Sequence, residues 1–581
     1  MKIRLAKTAG FCMGVRRAVE MVLDIQRYVP PLPIVTYGPL IHNPQTLQLL
    51  ESRGIKQVDI IDEIEGGTVI IRAHGISPHE RLALEHKAQR IVDATCPRVA
   101  RVQAIIRKHA SRGDFCVIVG DEDHPEVRGL VGHGSAGALA VPSADAEVLL
   151  ETIPMDTGIC VVAQTTQEIE TFNLVVDMLK TRYANLHVYN TICDSTRKRQ
   201  QEVSQLARNV DMVVVVGGKG SGNTRRLVKV AQAQGVEALH VEDDDELVAS
   251  AFHAAETVGV TAGASTPNWQ ILGVIDRIKE IGLGRKSGIL AILHRVADTA
   301  VMTYLWAALG GGSLTAACMV LQGRHAAILP MAVTMLFVFS MHLLNRIQDK
   351  SGAVRFNTPK IAAFYARHHY LLMSAAALSS AAAVCLSYRM GMWAFVLLVF
   401  MVIAGGLYTA SVVPASRFPT LKWRSLKDFP GSKTALVAAG WAMSAAVLPI
   451  IDSHGSLFVP GVAVSFIMAS GLVFWRTALS DLLDIQGDRI VGRETIPILL
   501  GVQRTSRLLL GLLGFLTLLL GVSAVMGWIT VFGAWLILNT SIFFIFFLMY
   551  KKGPPVDRLS FEAMVDGNFV LAGFLALLVG P

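Results

Sequence analysis

Beyond residue 282 the chain carries nine apolar runs of spanning length, near 301–321, 326–344, 370–388, 392–413, 434–451, 457–475, 505–524, 528–549 and 563–580. In hydrocarbon a backbone must satisfy its own hydrogen bonds, so runs of that length fold as helices that cross a bilayer. Several are rich in Ala and Gly, which suits close helix packing. The first 282 residues hold most of the charge and show mixed periodicity, the mark of a soluble domain. The expected division is therefore 1–282 soluble and 283–581 an all-α polytopic membrane domain of about nine helices.

The formal net charge of +8 would point to nucleic acid or anionic lipid if it were spread evenly. In the second half, however, Lys and Arg gather in alternate connections: Arg346, Lys350, Arg355 and Lys360; Arg417, Lys422, Arg424, Lys427 and Lys433; Arg489, Arg493 and Arg504; Lys551, Lys552 and Arg558. Membrane topology explains that alternation and a nucleic-acid partner does not. The positive-inside rule puts these loops and the soluble domain on the cytoplasmic side of the inner (cytoplasmic) membrane, with the C-terminus outside.

The soluble half repeats a short β-branched run, a polar or glycine-bearing turn and a helix pattern. The runs fall at 34–36, 68–71, 91–92, 115–119, 159–162, 212–216 and 258–261. Strands alternating with helices imply α/β architecture with open, mainly parallel sheets, whose ligands lie beyond the carboxyl ends of the strands. The residues there include His42-Asn43-Pro44, His74-Gly75, His124-Pro125-Glu126, Gln164-Thr165-Thr166, the Gly-rich run 217–223 and Gly263-Ala264-Ser265. That Gly-rich run lacks both the nucleotide-loop and the dinucleotide spacings, although its hydroxyl, amide and N–H groups suit a diphosphate.

Seven cysteines stand at 12, 96, 116, 160, 193, 318 and 385, with no Cys-x-x-Cys pair, and no cleavable signal precedes them. A reducing cytosol is the expected setting of the soluble half. Cys116, Cys160, Cys318 and Cys385 lie inside apolar runs and read as small buried hydrophobes. Cys12, Cys96 and Cys193 each stand in a turn ahead of a helix pattern, where helix-end N–H groups favour the thiolate. Three turn thiols suggest one shared metal site. Catalytic zinc takes three protein ligands and a water; a 4Fe–4S cluster takes four thiolates, so three would leave one iron open. The pattern alone does not separate the two.

Taken in order, Gly10-Phe11-Cys12-x-Gly14-Val15-x-Arg17-Ala18, Ile41-His42-Asn43, Ala73-His74-Gly75, Asp93-Ala94-Thr95-Cys96-Pro97, His124-Pro125-Glu126, Gln164-Thr165-Thr166, Ser221-x-Asn223 and Thr261-Ala262-Gly263-Ala264-Ser265 resemble the 4-hydroxy-3-methylbut-2-enyl diphosphate reductases, the LytB family, over roughly residues 1–281. The resemblance implies three similar α/β lobes around a central 4Fe–4S cluster on Cys12, Cys96 and Cys193. It implies reductive removal of the substrate hydroxyl, giving isopentenyl and dimethylallyl diphosphates, with electrons from an external donor such as ferredoxin or flavodoxin. Glu126 would relay protons; His42, His74, Ser221, Asn223 and Ser265 would hold the diphosphate with His124 beside it, and Thr166 would help order the hydroxyl and Glu126. Gly220 and Gly222 flank Ser221 where many members carry further polar side chains, commonly a second serine at the latter position.

In the second half Asn345 and Asp349 are four apart, and Asp481, Asp484 and Asp488 are spaced three and then four, so each set shares a helix face. Clustered acids at a membrane-helix end suit a Mg²⁺-bridged diphosphate, or else stand as solvated interfacial acids. The segment Asp481-x-x-Asp484-x-x-Gly487-Asp488-Arg489-x-x-Gly492-x-x-Thr495-x-Pro497 is similar to the second Asp-rich motif of UbiA-type prenyltransferases, Asn345-x-x-x-Asp349 to the first, and residues 424–433 to the loop between. That resemblance implies Mg²⁺-dependent transfer from a prenyl diphosphate to an acceptor the sequence does not name. Ala353 stands where many members have a second aspartate. Two other readings share these residues: a reductase with a non-catalytic membrane anchor, and a non-catalytic iron–sulfur sensor.

Overall fold

The structure, a computed structural model, describes every residue except 29–32, 136, 143–152, 154–156, 285–288, 350–355, 409–430, 453–458, 492 and 553–557. Ala353, Gly492, Lys350, Arg355 and the basic residues Arg417, Lys422, Arg424 and Lys427 fall outside the described residues. The chain forms two compact units, Met1–Gly282 and Leu283–Pro581.

The first unit contains three four-stranded sheets in which every pairing is parallel. The first lobe uses β2 (Ile34–Tyr37), β3 (Ile55–Val58), β4 (Thr68–Ile71) and β5 (Arg90–Asp93) in the order β3-β2-β4-β5. The second uses β6 (Phe115–Val119), β7 (Ala138–Val141), β8 (Ile159–Ala163) and β9 (Leu186–Val188) in the order β7-β6-β8-β9. The third joins β10 (Met212–Val216), β11 (Glu237–Val241) and β12 (Thr257–Ala262) to the first strand of the chain, β1 (Lys2–Leu5), in the order β1-β12-β10-β11. Read from the other edge, the third order matches the first two: β1 takes the place of β5 and β9. The central strands β4, β8 and β10 are buried at every position, as parallel strands covered on both faces must be.

Prolines set where several helices begin. Asn43-Pro44, Cys96-Pro97 and His124-Pro125 each place a cap residue immediately before a proline whose missing N–H costs nothing in a first turn. The cap side chain is thereby held at the carboxyl end of its sheet, where substrate would lie.

The second unit is all-helical. Among its described residues seven helices are long and apolar enough to cross a membrane, or eight if a pair bent by 68°, Ile292–Met302 and Leu305–Leu321, counts as one span. Tyr304, with φ of 61°, makes that bend. The span expected near 392–413 appears as the 16-residue helix Met392–Leu407. The helix Pro460–Val491 runs 32 residues, about 48 Å at 1.5 Å per residue, and carries the second acidic motif well past the expected apolar run. Leu479 and Leu482 keep its inner face apolar beyond Trp475. Small residues bring helices together: an added Cβ on Gly573 would sit 2.5 Å from the Ser313 Cβ, so Leu305–Leu321 and Arg558–Val579 pack backbone to backbone.

Candidate active site

Each turn cysteine occupies the same place in its lobe, directly after the edge strand β1, β5 or β9 and at the start of a helix: Met13–Tyr28, Pro97–Ala110 or Asp194–Ala207. Each backbone N–H donates to a carbonyl in the turn after the neighbouring strand: Cys12 to Ala264 at 2.9 Å, Cys96 to Ala73 at 2.9 Å and Cys193 to Thr165 at 2.8 Å. Each backbone carbonyl accepts the first helical bond, from Arg16, Ala100 and Arg197. The three thiols face one another closely enough that Cys12 and Cys193 both raise the Cys96 pKa. Burial is the larger cause, and it outweighs the N–H groups of Arg98 and Val99 that favour the thiolate. Burial and the two neighbouring thiols thus oppose the thiolate expected at Cys96, and the helix-end N–H groups favour it. Gly14 gives the thiols room: a Cβ there would stand 2.5 Å from the Cys96 sulfur and 4.0 Å from that of Cys12.

The central strands deliver the polar groups. His42, His74 and His124 follow β2, β4 and β6, and their ring centroids lie 4.4 Å (42–74), 5.1 Å (42–124) and 5.4 Å (74–124) apart. Burial, then neighbouring charge, holds all three neutral: His42 is lowered by burial and Arg72, His74 falls well below the ordinary range, and His124 is lowered to about 4. The Glu126 N–H donates to His124 Nδ1 at 3.1 Å, so Nε2 carries the proton of that ring. His42 Nε2, His74 Nδ1 and both side-chain polar atoms of Asn223 are buried with no hydrogen-bond partner. Ser221 caps the helix Gly222–Gln232, and Ser265 Oγ donates to the His42 carbonyl at 2.9 Å.

Glu126 is 2 % exposed, and burial raises its pKa against the opposing influence of Thr165 and Arg226. Thr165 N–H donates to Oε1 at 2.7 Å and Thr165 Oγ1 to Oε2 at 2.8 Å. Thr166, the residue expected to order Glu126, instead accepts a bond from Arg226 at 3.2 Å. The correction is one position, and its cause is that the chain leaves β8 at Ala163 with Thr165 turned toward Glu126.

In the second unit Asp481 accepts from Lys433 Nζ and Thr434 Oγ1, both at 2.8 Å. Asp484 pairs with Arg558 at 2.6 Å. Asp488 accepts from Asn357 Nδ2 at 3.2 Å and lies 3.6 Å from Arg493, which also pairs with Asp349. Arg493 therefore bridges the two acidic motifs. Asn345 Oδ1 and Asp488 Oδ2 have no hydrogen-bond partner.

The LytB protein family model matches residues 3–279. A 4-hydroxy-3-methylbut-2-enyl diphosphate reductase of Pelobacter propionicus is 42% identical over 286 residues, which cover 99% of that relative and 48% of this chain. The chain belongs to the LytB family. A reductase of the same name from Nitratidesulfovibrio vulgaris is 44% identical over 284 residues, covering 99% of the relative and 48% of this chain. A solved (E)-4-hydroxy-3-methyl-but-2-enyl diphosphate reductase shares 38% identity with a TM-score of 0.39, covering 99% of that chain and 48% of this one. The UbiA prenyltransferase family model matches residues 367–565. A UbiA homolog from Archaeoglobus fulgidus, solved with GPP and Mg2+, is 14% identical with a TM-score of 0.34 and covers 49% of this chain and 100% of its own.

In the LytB unit the sequence reading named Thr165 without giving it a role, and it passed over Arg226 and Arg72. Two adjacent threonines offered no way to choose between them. Arg226 had one signal, its place three residues after Asn223 on the same helix face. In the helical unit Asn357 was missed; its amide fills the space beside Gly487, where a Cβ would fall 2.0 Å from its oxygen.

Proposed function

We propose that the LytB unit reduces (E)-4-hydroxy-3-methylbut-2-enyl diphosphate to isopentenyl and dimethylallyl diphosphates, the activity its relatives are named for. The observation that carries this reading is the convergence of three equivalent cysteine turns with a neutral histidine cluster whose buried polar atoms lack partners. Two electrons and two protons enter, the allylic C–O bond breaks, and its oxygen leaves as water.

The thiols fit an iron–sulfur cluster better than a single ion. Among the described residues, the sets of three His, Cys, Asp or Glu whose ligand atoms all lie within 4.8 Å are His42, His74, His124 and His109, Asp114, His187; the thiols are set wider. One zinc with Zn–S near ~2.3 Å would hold its sulfurs within about 4.6 Å. Cys12, Cys96 and Cys193 would hold a 4Fe–4S cluster, which would pass the donor's electrons to the substrate and offer it an iron without a thiolate ligand. Around it, this chain's own residues bind and protonate. The ring N–H groups of His42 and His74, the Asn223 amide and the Ser221 and Ser265 hydroxyls donate to the diphosphate, with His124 beside them. Arg72 stands near all three rings, which favours an anion over a metal cation there. Glu126, whose pKa burial raises, is the group placed to pass a proton to the departing hydroxyl. Ferredoxin or flavodoxin is the class of donor proposed.

For the helical unit we infer prenyl transfer from a prenyl diphosphate, in a multi-pass protein of the inner membrane with its basic loops and reductase domain cytoplasmic. The unpartnered oxygens of Asn345 and Asp488, with Asp349, Asp481 and Asp484 nearby, fit Mg²⁺, an ion that takes oxygen ligands. Lys433, Arg493 and Arg558 would meet the leaving diphosphate.

The test is anaerobic purification of the full chain with iron counting and electron paramagnetic resonance, with and without hydroxymethylbutenyl diphosphate, alongside product analysis. Iron near four per chain, a substrate-sensitive signal and five-carbon diphosphate products are expected. An iron-free, zinc-loaded protein active in reduction would overturn the reading. For transfer, the full chain with Mg²⁺, prenyl diphosphates and an acceptor panel should form a prenylated product that Asp481→Asn abolishes; a product unchanged in that variant removes the assignment.

A further inference from the structure

Arg226 is the one cation that reaches from the third lobe to both second-lobe turns around Glu126, among the contacts described. It lies on the helix Gly222–Gln232, one turn past Asn223, and is 8 % exposed. Its Nη1 donates to Thr166 Oγ1 at 3.2 Å, and Nη2 to Gln167 Oε1 at 3.0 Å and to Asp121 Oδ2 at 3.2 Å. Nε stands 3.9 Å from Glu168. Asp121 follows β6 and the other three follow β8, so the partners span both turns that build the acid site. Those turns are also tied to each other, since the Asp121 N–H donates to Gln164 Oε1 at 3.0 Å. Thr165, which holds Glu126, sits between Gln164 and Thr166 in that segment.

A buried arginine bonded to one carboxylate is ordinary structural glue. Here a planar fork spends its donors on three side chains of two turns, which fixes direction as well as distance. At the other end of the same helix turn stand Ser221 and Asn223 of the diphosphate site. We propose that Arg226 is a positioning residue for the reduction: it fixes the 221–223 turn to the turns that hold Glu126 and Thr165, so that seating the diphosphate and aiming the proton donor become a single adjustment. This rests on the reductase reading of the unit.

Full-length, cluster-loaded protein should be assayed anaerobically as wild type, Arg226→Gln, Arg226→Lys, Asp121→Asn and Arg226→Gln/Asp121→Asn. Arg226→Gln is expected to lose roughly 10- to 100-fold in kcat/KM, divided between a higher KM and a lower kcat, as loss of charged hydrogen bonds implies. The double variant should be no worse than Arg226→Gln alone, because both changes remove one contact. Arg226 from the third lobe is the charged group that acts on Glu126, alongside burial and the two Thr165 bonds, while His124 on its own turn accepts the Glu126 N–H as a neutral ring and Asp121 and Glu168 face the guanidinium. Loss of the Arg226 charge should therefore carry the alkaline limb of the pH profile upward, and Arg226→Lys should restore the limb more fully than the KM.

A readout independent of turnover accompanies these assays. Inorganic diphosphate added to wild type should slow amide hydrogen exchange in residues 164–167, and Arg226→Gln should abolish that slowing. Wild-type kcat/KM in Arg226→Gln would overturn the proposal. So would a loss that follows only melting temperature or iron content with the pH limb unmoved, or the absence of any diphosphate-dependent protection in wild type. Failure of the reductase reading would appear separately, as wild-type protein that does not reduce the substrate.

Discussion

Thr165 grips Glu126 at both carboxyl oxygens, through its backbone N–H at 2.7 Å and its hydroxyl at 2.8 Å. Both bonds favour the ionised form, yet burial prevails and the pKa of Glu126 is raised. The carboxyl is thus held still by groups that also ease the departure of its proton. Thr165→Val removes the hydroxyl bond and leaves the N–H bond in place. The expected result is a fall in kcat of roughly 10-fold with an alkaline limb displaced to higher pH. Thr166→Val, which leaves both bonds to Glu126, should cost less; a larger loss there would reverse the assignment.

Gly14 has no side chain where any side chain would strike the Cys96 sulfur. The Gly14→Ala protein should fold, since the position opens a helix and alanine is a good helix former. It should carry less iron per chain than wild type after identical anaerobic reconstitution, with an unchanged far-ultraviolet circular dichroism spectrum. Full iron occupancy would show that the thiols yield more readily than their packing implies.

The histidine cluster makes the LytB unit sensitive to acid. His42 and His74 are lowered and His124 is lowered to about 4, against about 6.5 in an unfolded chain. Between those values the unfolded state binds more protons, so the stability these rings contribute is present above pH ~6.5 and is lost as pH falls toward ~4. Thermal melts across that window should show the decline, and His124→Asn should flatten it. A bound diphosphate favours the protonated rings, so calorimetry in buffers of different ionisation enthalpy should register proton uptake with inorganic diphosphate. Zero uptake would argue that the rings do not meet the anion.

In the helical unit Arg476 and Asp566 form a two-point ion pair at 2.7 and 2.9 Å inside the bundle. Removing one partner strands the other charge. Asp566→Leu should destabilise the detergent-solubilised full chain by about 3–5 kcal/mol, whereas Arg476→Leu/Asp566→Leu should recover much of the loss. Equal losses in the two proteins would mean that the pair is not coupled.

The parts of this molecule that could be read from its sequence share a physical character. The runs that became β4, β6, β8 and β10 stand out because parallel strands buried on both faces need unbroken apolar residues. The edge strands β3 and β11 did not, since Lys56, Gln57 and Glu237 face water there and break the signal, and β9 is only three residues long. The lobe to which β1 belongs was likewise hidden, because its partner β12 lies more than 250 residues away. At the site, His42, Cys96 and His124 stood out because each lies in a turn just past an apolar run, while the roles of Thr165 and Arg226 emerge only when separate turns meet in space. The acidic motif at Asp481 was legible by its spacing; the cations and the Asn357 amide that occupy it come from three other segments.

The three cysteine turns carry a consequence for the life of the protein. Each thiol stands on a turn closed by a backbone bond to its own lobe, so the fold itself holds the three positions. If the proposed cluster sits on them, one lost to oxygen would be replaced by supplying iron and sulfide, without renewed folding of the chain.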